Sequence, residues 1–281
     1  FRPNITASSA DSIDGALALL SNPAQNVRHL GFEALRAAGE KALPAVRGLL
    51  GHYNGYLQAR AVWLLPSLGD AGLRLTRSLL DSPDARTRLL AFRSLRNAGE
   101  DQLEMVSRFY VDEPSSAVRR EVALSLRDVP AQRKATYLSY FLRRCSAGDR
   151  TYLEACGLAA EGAEELVWGR LKSVTRITGA LEWTEAFARI TWRLHPRTAI
   201  PDLQKRALAE DLPGATRLLA VETLAFINDP AAARALVEIA KVDGPAGPEA
   251  LRWLLHLAET RWKDFDIFTL LKEHRLLGLE N

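Results

Sequence analysis

Thr87-Arg88-Leu89-Leu90-Ala91-Phe92-Arg93-Ser94-Leu95 decides the fold, because the phrase returns along the chain. It occurs earlier as Val27-Arg28-His29-Leu30-Gly31-Phe32-Glu33-Ala34-Leu35 and as Leu57-Gln58-Ala59-Arg60-Ala61-Val62-Trp63-Leu64-Leu65. Clear copies follow at Val118-Arg119 and Thr216-Arg217, with a weaker one at Asp149-Arg150. The Arg column therefore falls at positions 28, 58, 88, 119 and 150, in steps of 30, 30, 31 and 31, and the interval to 217 holds two more of about 33. Residues near Thr184 and Glu249 occupy the remaining phases, for about eight repeats.

Within each copy apolar residues recur at i, i+3 or i+4, i+7 and i+8, which is one face of an α-helix. The last column is Leu (Leu35, Leu65, Leu95, Leu126, Leu224) and the one four before it is usually small (Gly31, Ala61, Ala91, Ala220), so neighbouring helices can approach closely. A second amphipathic run precedes most copies, for example Ala42 to Leu50, Leu103 to Val111 and Ala231 to Ala240, and Pro23, Pro83 and Pro114 mark the turns. No sustained period-2 alternation competes. A two-helix unit cannot bury its apolar face alone, so the copies must stack on one continuous core. The spacing, the small column and the Val-Arg opening resemble HEAT-like repeats over residues 12 to about 260. The resemblance implies an all-α fold, a right-handed α-α superhelix of the HEAT/armadillo-like solenoid kind with about eight hairpins. The chain is read as one such domain, with an N-terminal extension at 1–11, repeats at 12–260, and a capping helix and tail at 261–281.

Composition agrees with a folded chain: 47% hydrophobic and 25% charged over 281 residues. No apolar run approaches the roughly 18 to 20 residues that span a bilayer, and no signal-peptide pattern opens the chain, so no membrane insertion is expected. The start at Phe1 suggests a processed form or a piece of a longer polypeptide. Cys145 and Cys156 stand at unequal distances from a turn near Gly148, so they are read as buried thiols and not as a disulfide.

The Arg column (Arg28, Arg88, Arg119, Arg150, Arg217) is read as structural, joining repeats; the HEAT-like resemblance implies bonds to an acidic residue or turn carbonyl of the adjacent repeat. Basic residues are densest from Arg119 to Arg150, which makes Arg119, Arg120, Arg143 and Arg144 the candidate patch for an anionic partner, although a solvated face is the plainer reading. The five histidines are scattered, with only a reversed Glu273-His274 in place of the repeated His-Glu pairs of HEAT-like di-iron hydroxylases, so no metal and no cofactor is expected. Trp63 falls in the repeat's apolar sector and is expected in the core. Trp183 and Trp192 flank the irregular stretch 172–182, where an aromatic could reach the surface but packing is the preferred reading. Glu161, Glu164 and Glu165 read as a solvated face. With no Gly-x-Ser-x-Gly, no phosphate loop and no Ser or Cys beside a His, the sequence argues against catalysis by this segment and against a small-molecule substrate.

Four phrases carry a narrower resemblance: Ala59-Arg60-Ala61-Val62-Trp63-Leu64-Leu65, Ala117-Val118-Arg119-Arg120-Glu121-Val122-Ala123-Leu124, Asp149-Arg150-Thr151-Tyr152-Leu153-Glu154-Ala155 and Trp192-Arg193-Leu194-His195-Pro196. They resemble the HEAT region of large bacterial proteins of the putative membrane-bound dehydrogenase, or PVC-type haem-binding, kind. That resemblance implies a secreted, periplasmic or extracellular redox protein in which a sugar-dehydrogenase-like β-propeller precedes the solenoid and a c-type cytochrome follows it. The expected function is thus a non-catalytic interaction or spacer scaffold, whose partner is a protein or neighbouring domains of the same polypeptide. The alternative is a HEAT-like DNA-binding protein, of the alkylpurine DNA glycosylase kind, suggested by a pI near 9.0 and the basic stretch, though nucleic acid is the less expected partner.

Overall fold

The computed structural model describes residues 7–109 and 111–277. Among these every regular element is a helix and none is a strand. They divide into two compact units, one of residues 7–109 with 113–122 and one of residues 111–112 with 123–277.

In the first unit α1 (Ile13–Leu20) pairs with α2 (Gln25–Ala38), α3 (Leu43–Gly48) with α4 (Gly55–Leu64), and α5 (Gly69–Ser78) with α6 (Ala85–Asn97). Helices α7 (Gln102–Phe109) and α8 (Ser116–Ser125) follow. Second helices stack on one another, α2 on α4 and α4 on α6. In the second unit the pairs are α9 (Ala131–Arg143) with α10 (Arg150–Ala159), α11 (Glu164–Thr175) with α12 (Glu185–Leu194), α13 (Ile200–Leu208) with α14 (Gly214–Phe226), and α15 (Pro230–Ala240) with α16 (Ala246–Ala258). There α9 packs on α11, α13 on α15, and α10, α12, α14 and α16 form the other layer. Helix α17 (Ile267–Glu273) closes against α15 and α16.

The helices begin where the sequence supplies a cap. Side chains of Ser12, Asn54, Asp84, Asp149, Thr184 and Asp229 each accept a backbone N–H of the first turn, satisfying donors that the helix itself leaves open. The Leu column is the core: Leu35, Leu65, Leu95, Leu126 and Leu224 are all 0% exposed. Each such leucine hides about 1.5–3 kcal/mol of transfer free energy. The small column works as expected at Gly31, where a Cβ would stand 2.4 Å from the Leu20 backbone nitrogen and 2.6 Å from the Ala16 carbonyl oxygen. Cys145 and Cys156 are buried free thiols.

Arg28, Arg88, Arg119 and Arg217 each occupy the fourth position of their helix. The first three donate to two carbonyls in their own hairpin turn. Arg28 reaches Asn22 and Pro23, Arg88 reaches Ser82 and Pro83, and Arg119 reaches Glu113 and Pro114, both at 2.8 Å. Arg217 Nε donates to the Ala207 carbonyl at 2.9 Å. Gln58, at the same position in α4, substitutes for the guanidinium and donates to His52 O at 2.7 Å. Arg28, Arg88 and Arg119 therefore tie their own hairpin's turn, and Arg217 ties the preceding helix of its own hairpin, where the expectation had only a bond to the adjacent repeat. Arg88 also pairs forward, with Glu113 of the next hairpin, through two hydrogen bonds of 2.6 and 2.8 Å.

Three expectations are corrected. Arg150 is the first residue of α10, not the fourth, so it points to solvent and meets only Glu154 of its own helix, at 3.6 Å. Trp63 is 39% exposed, because it lies one residue past Val62, which takes the inward position at 2%. Lys172 belongs to a regular first helix of a hairpin, α11, and irregular backbone starts only at Arg176, which is left-handed with φ 56°, so the irregular stretch expected from 172 is shorter. The capping helix expected over 261–281 divides into a short turn Lys263–Phe265 and α17, while residues 278–281 lie outside the described residues. Of the N-terminal extension, Ala7–Ala10 forms a single 3-10 turn and residues 1–6 lie outside the described residues.

Candidate interaction cleft

Repeats are held to their neighbours by ion pairs that no local motif announces. Arg93 meets Glu121 at 2.6 Å, Arg193 meets Glu154 at 2.6 Å, Lys172 meets Asp202 at 2.7 Å, and Arg127 meets Glu161 at 3.2 Å. Arg93, Arg193 and Arg127 are thereby paired with carboxylates of the adjacent hairpin.

The expected anionic patch is placed unevenly. In the first unit Arg119 is buried in its turn and Arg120 is exposed. In the second, Arg143 is exposed with its guanidinium 5.5 Å from the Tyr140 ring, and Arg144 is half-buried and donates to the Val111 carbonyl at 3.0 Å.

Within the first unit, a cleft of about 930 Å³ opens between the turn ends of the second and third hairpins. Leu50, Val62, Leu79 and Leu90 supply its aliphatic wall, and Tyr53 and Tyr56 stand over it, 96% and 77% exposed. Two tyrosines left in water beside an apolar wall are informative, since exposed large apolar surface marks recognition sites.

A tightly bonded turn presents both rings. Asn54 N–H donates to His52 Nδ1 at 3.0 Å, the Asn54 side chain accepts the Tyr56 N–H at 2.9 Å, and Gln58 spans back to His52 O. The His52 ring stacks on Tyr53 at 4.3 Å. Across the cleft Asp84 caps α6, accepting from the Thr87 hydroxyl at 2.7 Å and its N–H at 2.9 Å; those bonds hold the Asp84 carboxyl below the usual carboxylate range. Ser82 Oγ accepts the Asp84 N–H. One atom of each of these side chains, Asn54 Oδ1, Gln58 Nε2, Ser82 Oγ and Asp84 Oδ2, is thus bonded to backbone or to Thr87, and Arg86 stands exposed beside Asp84. The sequence reading missed this cleft. Its one legible signal is His52-Tyr53-Asn54-Gly55-Tyr56, two aromatics in a turn where polar residues are the rule.

The second unit carries a different aromatic feature. Trp183, 6% exposed, packs edge-on against Trp168 and Phe187, which is the packing reading preferred from the sequence. Trp192 is half-buried, its indole N–H donating to Glu222 at 3.2 Å, and with His195, Phe226, Trp253 and His256 it forms a chain of ring contacts along α12, α14 and α16. His195 takes the slot four residues after the small column, where five other copies have Leu35, Leu65, Leu95, Leu126 and Leu224. Its Nε2 is buried without a hydrogen-bond partner, and burial, reinforced by Arg193 and Arg261, pushes the imidazole down to about 4. Among the described residues no group of three metal-ligating side chains converges.

No protein-family model matches the chain, and no curated protein does. Solved structures match it over most of their length. Human deoxyhypusine hydroxylase in complex with glycerol is 16% identical, covering 88% of this chain and 84% of that one, with a TM-score of 0.27. The complex of CpcE and CpcF of phycocyanin lyase from Nostoc sp. PCC7120 is 18% identical, covering 97% and 96%, with a TM-score of 0.28. An engineered protein is 18% identical, covering 93% and 97%, with a TM-score of 0.20. At these scores the likenesses assign no site. One matched protein is nonetheless named a hydroxylase, which corrects the expectation that a segment of this kind is not an enzyme. The physical reason is plain: side chains about thirty residues apart become neighbours on stacked hairpins, so the lack of a local motif does not exclude a site.

Proposed function

We propose that this chain is an interaction module that seats a protein partner in the cleft between its second and third hairpins. The carrying observation is that Tyr53 and Tyr56 stand 96% and 77% exposed over an aliphatic wall, on a turn already rigid through its own hydrogen bonds. Tyrosine brings large contact area at little entropic cost, and a pre-ordered turn loses little more on binding. The test replaces Tyr56 with a photo-crosslinking amino acid in the protein's own cells. A covalent protein adduct is expected, absent when the same group replaces the exposed Arg234 of α15. No adduct at Tyr56, or the same adducts at both positions, overturns the reading.

For the wider setting, we propose that the module spaces an oxidising propeller domain and a c-type cytochrome outside the cytoplasm. Support comes from the phrases around Trp63, Arg120, Arg150 and Trp192 that resemble the corresponding solenoid region. Reading the genomic frame on both sides tests it. A frame that encodes neither a propeller nor a Cys-x-x-Cys-His motif overturns this placement and leaves the module itself standing.

A further inference from the structure

We propose that the turn of the first hairpin is an oxyanion site, in which Arg28 and Arg60 together hold a phosphate group. Arg28 Nη1 donates to the Asn22 and Pro23 carbonyls, and Arg60, reaching back from α4, donates through Nη1 to the Leu20 carbonyl at 2.7 Å. Two guanidinium groups thus meet the same short turn, residues 20–23, and each uses one nitrogen on neutral acceptors. Among the described residues these are the only hydrogen bonds either side chain makes, and neither forms an ion pair. Burial, and after it the charge of Arg28, pulls the Arg60 guanidinium below its ordinary range, and no carboxylate acts against them.

The third hairpin carries the same arrangement with its acid in place. Arg88, the repeat equivalent of Arg28, also bonds its own turn through Nη1, and turns Nε and Nη2 to the two oxygens of Glu113 at 2.8 and 2.6 Å. Glu113 lies six residues before Arg119, and six residues before Gln58 lies His52. The two residues serve their turns alike: Glu113 Oε1 accepts the Ser115 N–H at 2.8 Å, and His52 Nδ1 accepts the Asn54 N–H at 3.0 Å. An imidazole that accepts in this way is neutral, so Nε and Nη2 of Arg28 have no carboxylate to meet. Arg60 lies two residues after Gln58, where the hairpin that follows Arg88 has Glu121. Both acids that follow Arg88 are therefore missing after Arg28, and one of them is replaced by a cation.

Guanidinium N–H groups form a planar fork that suits oxyanions, and Glu113 on Arg88 is the example within this chain. A carboxylate would cancel one charge of the two. A phosphate monoester carries about −1.5 to −2 at pH 7, with three acceptor oxygens, and answers both arginines. The two side chains are half-buried and already anchored by the turn carbonyls, so they lose little freedom when an anion docks.

The test is NMR of the full chain labelled with nitrogen-15, following the Nε–H signals of Arg28 and Arg60 as phenyl phosphate is added at constant ionic strength. Saturable shifts of both signals are expected, with a Kd at least about tenfold below that of benzoate. Inorganic phosphate distinguishes the sources: binding as tight as phenyl phosphate supports the site with the free ion as occupant, and weaker binding supports it with a monoester. Arg60→Gln, which keeps a donor for the Leu20 carbonyl, should weaken phenyl phosphate about tenfold and erase its advantage over benzoate. His52→Glu, which supplies the acid found at position 113, should compete for Arg28 and weaken binding by at least as much. Shifts that do not saturate, equal affinity for benzoate, or binding unchanged in both variants overturns the proposal. The comparison with benzoate is made on the unaltered chain, so it decides the matter even where a variant fails to fold.

Discussion

Arg193 crosses α10 directly over Gly157: a Cβ built there would stand 2.4 Å from the guanidinium carbon and 2.7 Å from Cγ of that side chain. The missing side chain is what lets Arg193 Nε reach Glu154 at 2.6 Å, joining two hairpins. Gly157→Ala should therefore displace the whole arginine and break the bond. Since the pair is partly exposed, the expected loss is about 1 kcal/mol of unfolding free energy, measured by urea denaturation. In an Arg193→Ala background the same change should become neutral or gain up to about 1 kcal/mol, because Ala is the better helix former. Equal losses in both backgrounds would show that the crossing is not what Gly157 serves.

The Arg column offers a paired comparison. Arg119→Ala strips both donors from the Glu113 and Pro114 carbonyls in a buried turn and should cost about 1–3 kcal/mol. Arg150→Ala, aligned with it by sequence, removes only a long contact to Glu154 and should change stability by less than about 0.5 kcal/mol. Thermal denaturation of the two variants reads the difference directly, and equal shifts would contradict the register assigned to α10.

His195 gives the fold an acid-side weakness. Its imidazole titrates near 6.5 when unfolded and is pushed to about 4 when folded, mainly by burial. Between those values the unfolded chain binds the additional proton, so stability is complete above about pH 6.5 and falls as pH drops toward 4. With the ring only partly enclosed, the loss should be about 1–2 kcal/mol. His195→Asn tolerates the left-handed backbone at φ 49° and should flatten this part of the stability profile. A slope unchanged in the variant would assign the acid sensitivity to other groups.

Much of the hairpin order was readable in advance, because a helix advertises its buried face through residues three and four apart. Leu35, Leu65 and Leu95 could be placed in the core without knowing what touched them. Trp63 could not. The helical period that puts Val62 inward leaves its neighbour near the edge of the apolar sector, and only the shape of the adjacent hairpin decides on which side the indole lies. Arg150 misled for a related reason: its copy of the phrase is the weaker one, and Asp149 caps the helix directly before it, where Asp84 stands four residues before Arg88, so the register moves by three.

The cleft belongs to the same class. Its four aliphatic residues come from Leu50 through Leu90, and each one is an unremarkable member of its own helix or turn. Repeat length, helix positions and the buried Leu column were determined by the sequence itself, since those depend on interactions within a few residues of chain. The exposure of Tyr53 and Tyr56, the path of Arg193 over Gly157 and the unpartnered Nε2 of His195 were decided by tertiary structure. Each depends on which side chains of neighbouring hairpins come to occupy the same space, and residues some thirty positions apart carry no local mark of that meeting.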